Sequence, residues 1–146
     1  MNKVSILLII AAVAVLSACA ASRGSVGLSS LAGEWDIIEV DETAVVPAPG
    51  QTFPYIGFDV EQGRVYGSTG CNLLTGSFSL DERDGRLDLS QLGGTRMLCP
   101  DMHTEEIILA ALARVKHYAM VDDDHMVLYH SSKKSGLILQ RRRPKL

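Results

Sequence analysis

Three cysteines are the residues of this chain best able to do chemistry, and they stand in two different settings. Cys19 follows Asn2 and Lys3, an apolar run over residues 4–16 and the small pair Ser17-Ala18, which is the layout of a secretory signal with its processing site. That run is shorter than the roughly 20 apolar residues a bilayer-spanning helix needs. Cys71 and Cys99 lie in the exported remainder. Such a pair can close a disulfide, the expected state in an oxidising compartment, or pack as two reduced and buried thiols. It can also leave one reactive thiol with His103 as base, which would need a lowered thiol pKa, an acid and an oxyanion site. No acid or oxyanion signature accompanies it.

Leu16-Ser17-Ala18-Cys19 resembles the lipobox of bacterial lipoproteins, in which the cysteine thiol receives a diacylglycerol and becomes the mature N-terminus. The resemblance implies a signal peptide over 1–18 and lipidation at Cys19, leaving Cys71 and Cys99 as an even pair. Loss of Lys3 takes the formal net charge from -3 to -4, a mild value that points neither to nucleic acid nor to a strongly acidic ligand. The mature part is the size of one domain with one core. Residues 19–30 are small and polar with nothing periodic to bury, and read as a lipidated flexible tether. Ala20, rather than Asp, follows the lipidated cysteine, which by resemblance to Gram-negative lipoproteins implies the outer membrane.

Other candidates weigh less. Gly67-Ser68-Thr69-Gly70 could hold an anion on backbone N–H groups, yet lacks the Gly-Lys-Ser/Thr ending of a phosphate loop, and a tight turn is the plainer reading. Asp122-Asp123-Asp124 lacks the spaced ligands and terminal Glu of a calcium loop and reads as a hairpin tip. His103, His117, His125 and His130 show no HExxH or His-x-His spacing, so no metal or cofactor is expected. Trp35, Tyr55 and Phe58 are read as core.

The elements that must position these residues are mostly short strands. Residues 34–40 form an apolar strand, with Trp35 and Ile37 on one face and Ile38 and Val40 on the other, so burial on both sides is expected. Strands are expected at 55–60, 64–67, 76–80, 86–89 and 95–98, then at 117–121, 126–130 and 137–140. Glu61-Gln62-Gly63 and Asp84-Gly85 supply turns between neighbours, which makes a meander. One helix is predicted over 101–116: Pro100 and Asp101 start it, Glu105 and Glu106 suit its first turns, and Arg114 and Lys116 its last. Ile108, Ala111, Leu112 and Val115 form its apolar stripe.

Leu31-Ala-Gly-Glu-Trp35, then Gly67-Ser-Thr-Gly-Cys-Asn72 with Thr75-Gly76, then Thr95-Arg-Met-Leu-Cys-Pro100 ahead of Glu105, resemble the META domain of HslJ-like lipoproteins. The motif positions are Trp35, Gly70, Cys71, Asn72, Gly76, Thr95, Arg96, Cys99 and Pro100. The resemblance spans residues 31–141. It implies a mainly β fold, a compact antiparallel barrel-like sheet with one packed α-helix. That family has no established catalytic activity, so the resemblance implies a non-catalytic envelope module, binding or stress-related, with an unknown protein or envelope ligand. The expected setting is the outer membrane, periplasm-facing, as a monomer held by its N-terminal lipid. The alternatives are a cysteine-dependent redox protein or enzyme, and an inhibitor of a secreted hydrolase.

Residues 142–146 follow as a basic tail. Together with Arg141, Lys133 and Lys134 they concentrate positive charge at the C-terminus. The tail reads as solvated and dispensable for stability, or as a contact for anionic lipid.

Overall fold

The computed structural model describes residues 27–131 and 136–144; Cys19 and the signal segment, Lys133, Lys134 and Lys145 lie outside them. Leu28–Leu31 form one helical turn, α1, and Gly33–Val40 the first strand, β1. The strands β2 (Thr43–Ala44), β3 (Tyr55–Asp59), β4 (Arg64–Ser68), β5 (Leu73–Asp81) and β6 (Arg86–Gly94) come next. The helix α2 (His103–Leu112) precedes β7 (His117–Met120), β8 (His125–Tyr129) and β9 (Gly136–Arg141). All pairings are antiparallel, the order is β2-β1-β3-β4-β5-β6-β7-β8-β9, and β9 returns to pair with β1. The expected meander therefore closes into a ring. The turns fall where glycine permits them: Gly63 and Gly85 adopt φ of 63° and 67°.

The core lies inside the ring, with α2 set across one end. Trp35, Ile37, Ile56, Phe58, Leu87, Met126, Leu128, Leu137 and Leu139 are all buried; Ile108, Ala111 and Leu112 join them as their helical spacing predicted, and Val115 does so from just beyond the helix. Strand β1 departs from expectation. Its pairing with β9 shifts register between Ile37 and Glu39, so the extra residue puts Val40 back in phase with Trp35 and Ile37. The strand thus buries one face, re-phased by a bulge, and Ile38 is only half-buried.

Four boundaries also change. Leu28–Leu31 are not tether but a helical turn closing the other end of the ring, where Leu31 is buried, Leu28 N donates to Glu82 Oε1 at 2.8 Å and Tyr118 Oη donates to Gly27 O at 2.9 Å. Burial there pushes the Tyr118 phenol above its ordinary pKa. Helix α2 runs only from His103 to Leu112, so Pro100 and Asp101 precede it and Arg114, Val115 and Lys116 lie beyond it. Arg114 Nη2 instead meets Asp41 Oδ2 at 2.6 Å, while the backbone of Lys116 bonds Leu87 and Tyr129. Strands β5 and β6 are longer than predicted, and residues 95–98 form no strand. There Thr95 still bonds Leu73, while the backbone of Met97 bonds the side chain of Asn72, described below.

Arg141 and Arg142 are held by the domain rather than solvated, while Arg143 is exposed. The Arg141 guanidinium lies 4.1 Å from the centre of the Trp35 ring and donates to Ala32 O at 3.2 Å and Asp123 O at 3.2 Å. Arg142 lies 3.9 Å over the Tyr55 ring, pairs with Asp36 Oδ1 at 3.3 Å, and its backbone N donates to Glu34 O at 2.8 Å. Arg143 meets Asp124 Oδ2 at 3.0 Å. A chain ending at Gln140 is therefore expected to lose at least about 2 kcal/mol of stability, given the usual worth of cation–π contacts and hydrogen bonds. Thermal unfolding of the truncated protein checks this; an unchanged midpoint would show that these contacts carry no net energy.

Candidate functional site

The sequence motifs converge at the end of the ring that α2 closes. After β4 the chain turns through Thr69-Gly70-Cys71-Asn72, closed by Thr69 N donating to Asn72 O at 2.9 Å. Gly70 takes φ of 102°, and a Cβ there would stand 3.3 Å from Thr52 O, so this position suits glycine on both counts. Gly76 has a different reason: a Cβ would fall 2.2 Å from Gln91 O on the neighbouring strand, beside the β5–β6 register shift.

Asn72 is the hub. It is 3% exposed and uses both ends of its amide. Its Oδ1 accepts from Met97 N at 2.7 Å and Thr95 Oγ1 at 2.8 Å; its Nδ2 donates to Glu105 at 2.9 Å and to Met97 O at 3.1 Å. Thr95 Oγ1 in turn accepts from Leu73 N at 3.0 Å. Thr95 N still donates to Leu73 O on the neighbouring strand at 3.2 Å, but the backbone of Met97 bonds the Asn72 side chain instead, so the pairing with β5 does not continue through 95–98. Glu105, in the first turn of α2, is 8% exposed, and its Oε2 accepts from Thr69 Oγ1 at 2.5 Å and Asn72 N at 3.2 Å. Neutral donors alone solvate this buried carboxylate among the described residues. In the sequence Glu105 reads as a residue suited to the helix dipole and Thr69 as part of a tight turn. An acidic residue in the first helical turn was the available signal, but its buried partners are 33 and 36 residues away.

Cys71 and Cys99 form a disulfide across a sequence separation of 28, with Cα atoms 6.1 Å apart. Both sulfurs are committed, so the reading of a thiol activated by His103 has no free thiol to act on. His103 is exposed, and its backbone N donates to Asp101 Oδ1 at 2.9 Å. The bridge fastens the Gly70-Cys71-Asn72 turn to the start of α2 through Cys99-Pro100, and the hydrogen bonds of Asn72 fasten the same turn to Thr95 and Met97. Arg96 lies on the exposed side of this strap, and Leu98 is 94% exposed.

The remaining candidates have structural roles. Asp122 Oδ1 caps the β7–β8 turn, accepting from Asp124 N and His125 N at 2.8 Å each. Its hydrogen bond to the His125 ring, followed by that to Asp124 N, holds its carboxyl below the ordinary aspartate range. His117 stacks on Tyr129 with ring centres 5.5 Å apart. Trp35 is fully buried, and its indole N–H donates to Leu31 O at 2.9 Å. No cluster of three or more potential metal-binding side chains occurs among the described residues.

A single antiparallel ring, closed at one end by a helix and at that end clamped by a disulfide and an Asn-centred polar cluster, defines a β-barrel-like domain class. The chain belongs to the META domain family, which matches residues 29–143. Among solved structures it is similar to the NMR structure of a protein from Burkholderia xenovorans, with a TM-score of 0.61 and 25% identity over 80% of this chain and 87% of that one. A second NMR structure aligns with a TM-score of 0.58 and 20% identity, covering 75% of this chain and 89% of the other. The crystal structure of a DUF4847 family protein from Bacteroides vulgatus shares the fold at a TM-score of 0.53 and 17% identity, over 79% and 96% of the two chains. A search of curated proteins finds no match.

Proposed function

We propose that this chain is a non-catalytic lipoprotein of the bacterial envelope, anchored through a lipid on Cys19 to the outer membrane and facing the periplasm, whose META domain is a binding module. The observation that carries the non-catalytic part is the state of the motif residues. The Cys71 and Cys99 sulfurs bond each other, and Thr69, Asn72, Thr95 and Glu105 are joined in one hydrogen-bonded cluster. Groups used in this way build a rigid end to the barrel and position the surface beside it. The disulfide also suits an exported domain. The envelope setting rests on the lipobox-like residues 16–19 and the signal that precedes them.

The anchor is tested in a Gram-negative host by labelling with radioactive palmitate and separating the membranes. The natural chain should incorporate label and band with the outer membrane, and Cys19→Ser should accumulate as unlabelled precursor or soluble protein. Label entering the Cys19→Ser variant would overturn the assignment.

A further inference from the structure

The ring is only narrowly closed along one side. Strand β6 pairs with β7 only at Arg86 and His117, and beyond that pair the side chains of α2 face it. A cavity of about 310 Å³ lies between β6 and α2, next to the clamp. Its volume is at the low end for small-molecule sites, which run from about 300 to 1,000 Å³.

The lining carries three kinds of chemistry. Leu74, Leu92 and Leu109 give apolar walls. Glu105 also lines it, more than nine-tenths buried and bonded only to neutral donors among the described residues; Oε1 shares with Oε2 and Met97 O the hydrogens of a single amide nitrogen, Asn72 Nδ2. A buried carboxylate with acceptor capacity to spare gains most from a charged N–H donor. Arg96 lines the same cavity from its exposed side and makes no ion pair among the described residues. One cavity therefore offers a buried negative group, an exposed positive group and an aliphatic wall.

We propose that this cavity binds a small zwitterion with an aliphatic part: a primary ammonium directed to Glu105, an anionic group to Arg96, and hydrocarbon against Leu92 and Leu109. This rests on the binding-module reading and names its ligand class. Two sources share the chemistry, a free aliphatic amino acid and the headgroup of a phosphatidylethanolamine.

The test is an NMR titration of the full-length protein in detergent, following the backbone amides of Leu92, Gly93, Gly94 and Leu109. The probes are L-leucine and monomeric dihexanoyl-phosphatidylethanolamine. Isoamylamine, isovalerate and dihexanoyl-phosphatidylcholine, which has no N–H donor, serve as comparisons. At least one zwitterionic amine should shift these amides saturably, and which one does so identifies the source. The comparison compounds should bind about tenfold more weakly or worse, the scale of one lost hydrogen bond to a charged group. Arg96→Ala, at an exposed position outside the clamp, should weaken the zwitterion about tenfold and leave isoamylamine unaffected. Glu105→Gln, which keeps an acceptor for Thr69 and Asn72, should abolish the preference for the amine-bearing ligand over isovalerate. The proposal is overturned if neither zwitterion binds saturably at millimolar concentration, if the shifts map elsewhere, or if Arg96→Ala binds as the natural chain does. Such a result leaves the palmitate test untouched, so the ligand class and the envelope assignment fail separately.

Discussion

Cys71→Ser and Cys99→Ser should each lower the stability of the domain by about 3 to 4 kcal/mol, the loop-closure entropy of a bridge with this separation. For a domain of this size that is a fall of roughly 10 to 15 °C in unfolding midpoint. The double mutant should lose no more than either single one, because the first substitution already opens the loop. The bridge also holds the Asn72 turn against the start of α2, so its loss should loosen the first turn of the helix before the rest of the ring. Chemical denaturation of the three variants, with the natural chain measured in the presence and absence of reductant, checks the expectation. Additive losses would mean that the two cysteines make independent packing contacts.

Removing the hub of the polar cluster should have an effect of similar size. Asn72→Ala leaves the buried Glu105 without its amide donor, and leaves Met97 N and Thr95 Oγ1 without their acceptor. Breaking a buried, charge-containing network in this way costs about 3 to 5 kcal/mol. Asn72→Asp is the sharper variant. It keeps the shape and the acceptor, but sets a carboxylate where an amide stood 2.9 Å from Glu105. Two carboxylates at that distance raise the folded-state pKa of the pair above its unfolded value, so the neutralised form is the one the fold tolerates. The variant should accordingly be least stable at neutral pH and recover as pH falls toward about 4.5. Urea midpoints across that range read the effect; a natural-like midpoint for Asn72→Ala would show that the cluster contributes no net stability.

The parts of the fold governed by local rules were legible in the sequence. Gly63 and Gly85 turn the chain where their dipeptides indicated, and the stripe from Ile108 to Val115 is buried. What escaped depends on partners distant in the chain. The bulge after Ile37 cannot be seen in an alternation count, because it exists only in the register with β9. Residues 95–98 have strand-like composition, yet the backbone of Met97 bonds the Asn72 side chain rather than a neighbouring strand. The arginines at 141–143 read as a solvated tail because their counterparts, Trp35, Tyr55, Asp36 and Asp124, come from three other parts of the chain. At the site, the motif residues were visible as types and spacings and the disulfide was expected from the exported pair. Glu105 was visible only as a residue suited to a helix start, since nothing local marks a carboxylate for burial under Thr69 and Asn72.

In the proposed function the motif cysteines are a structural clamp rather than a reactive centre. Peptide mass mapping of the folded, unreduced protein after exposure to iodoacetamide tests that directly. The predicted result is a cross-linked pair of peptides containing Cys71 and Cys99, two hydrogens lighter than the reduced pair and free of alkylation, with both sites labelled once the protein is reduced and unfolded. Carbamidomethylated Cys71 or Cys99 in the unreduced, folded sample would contradict it.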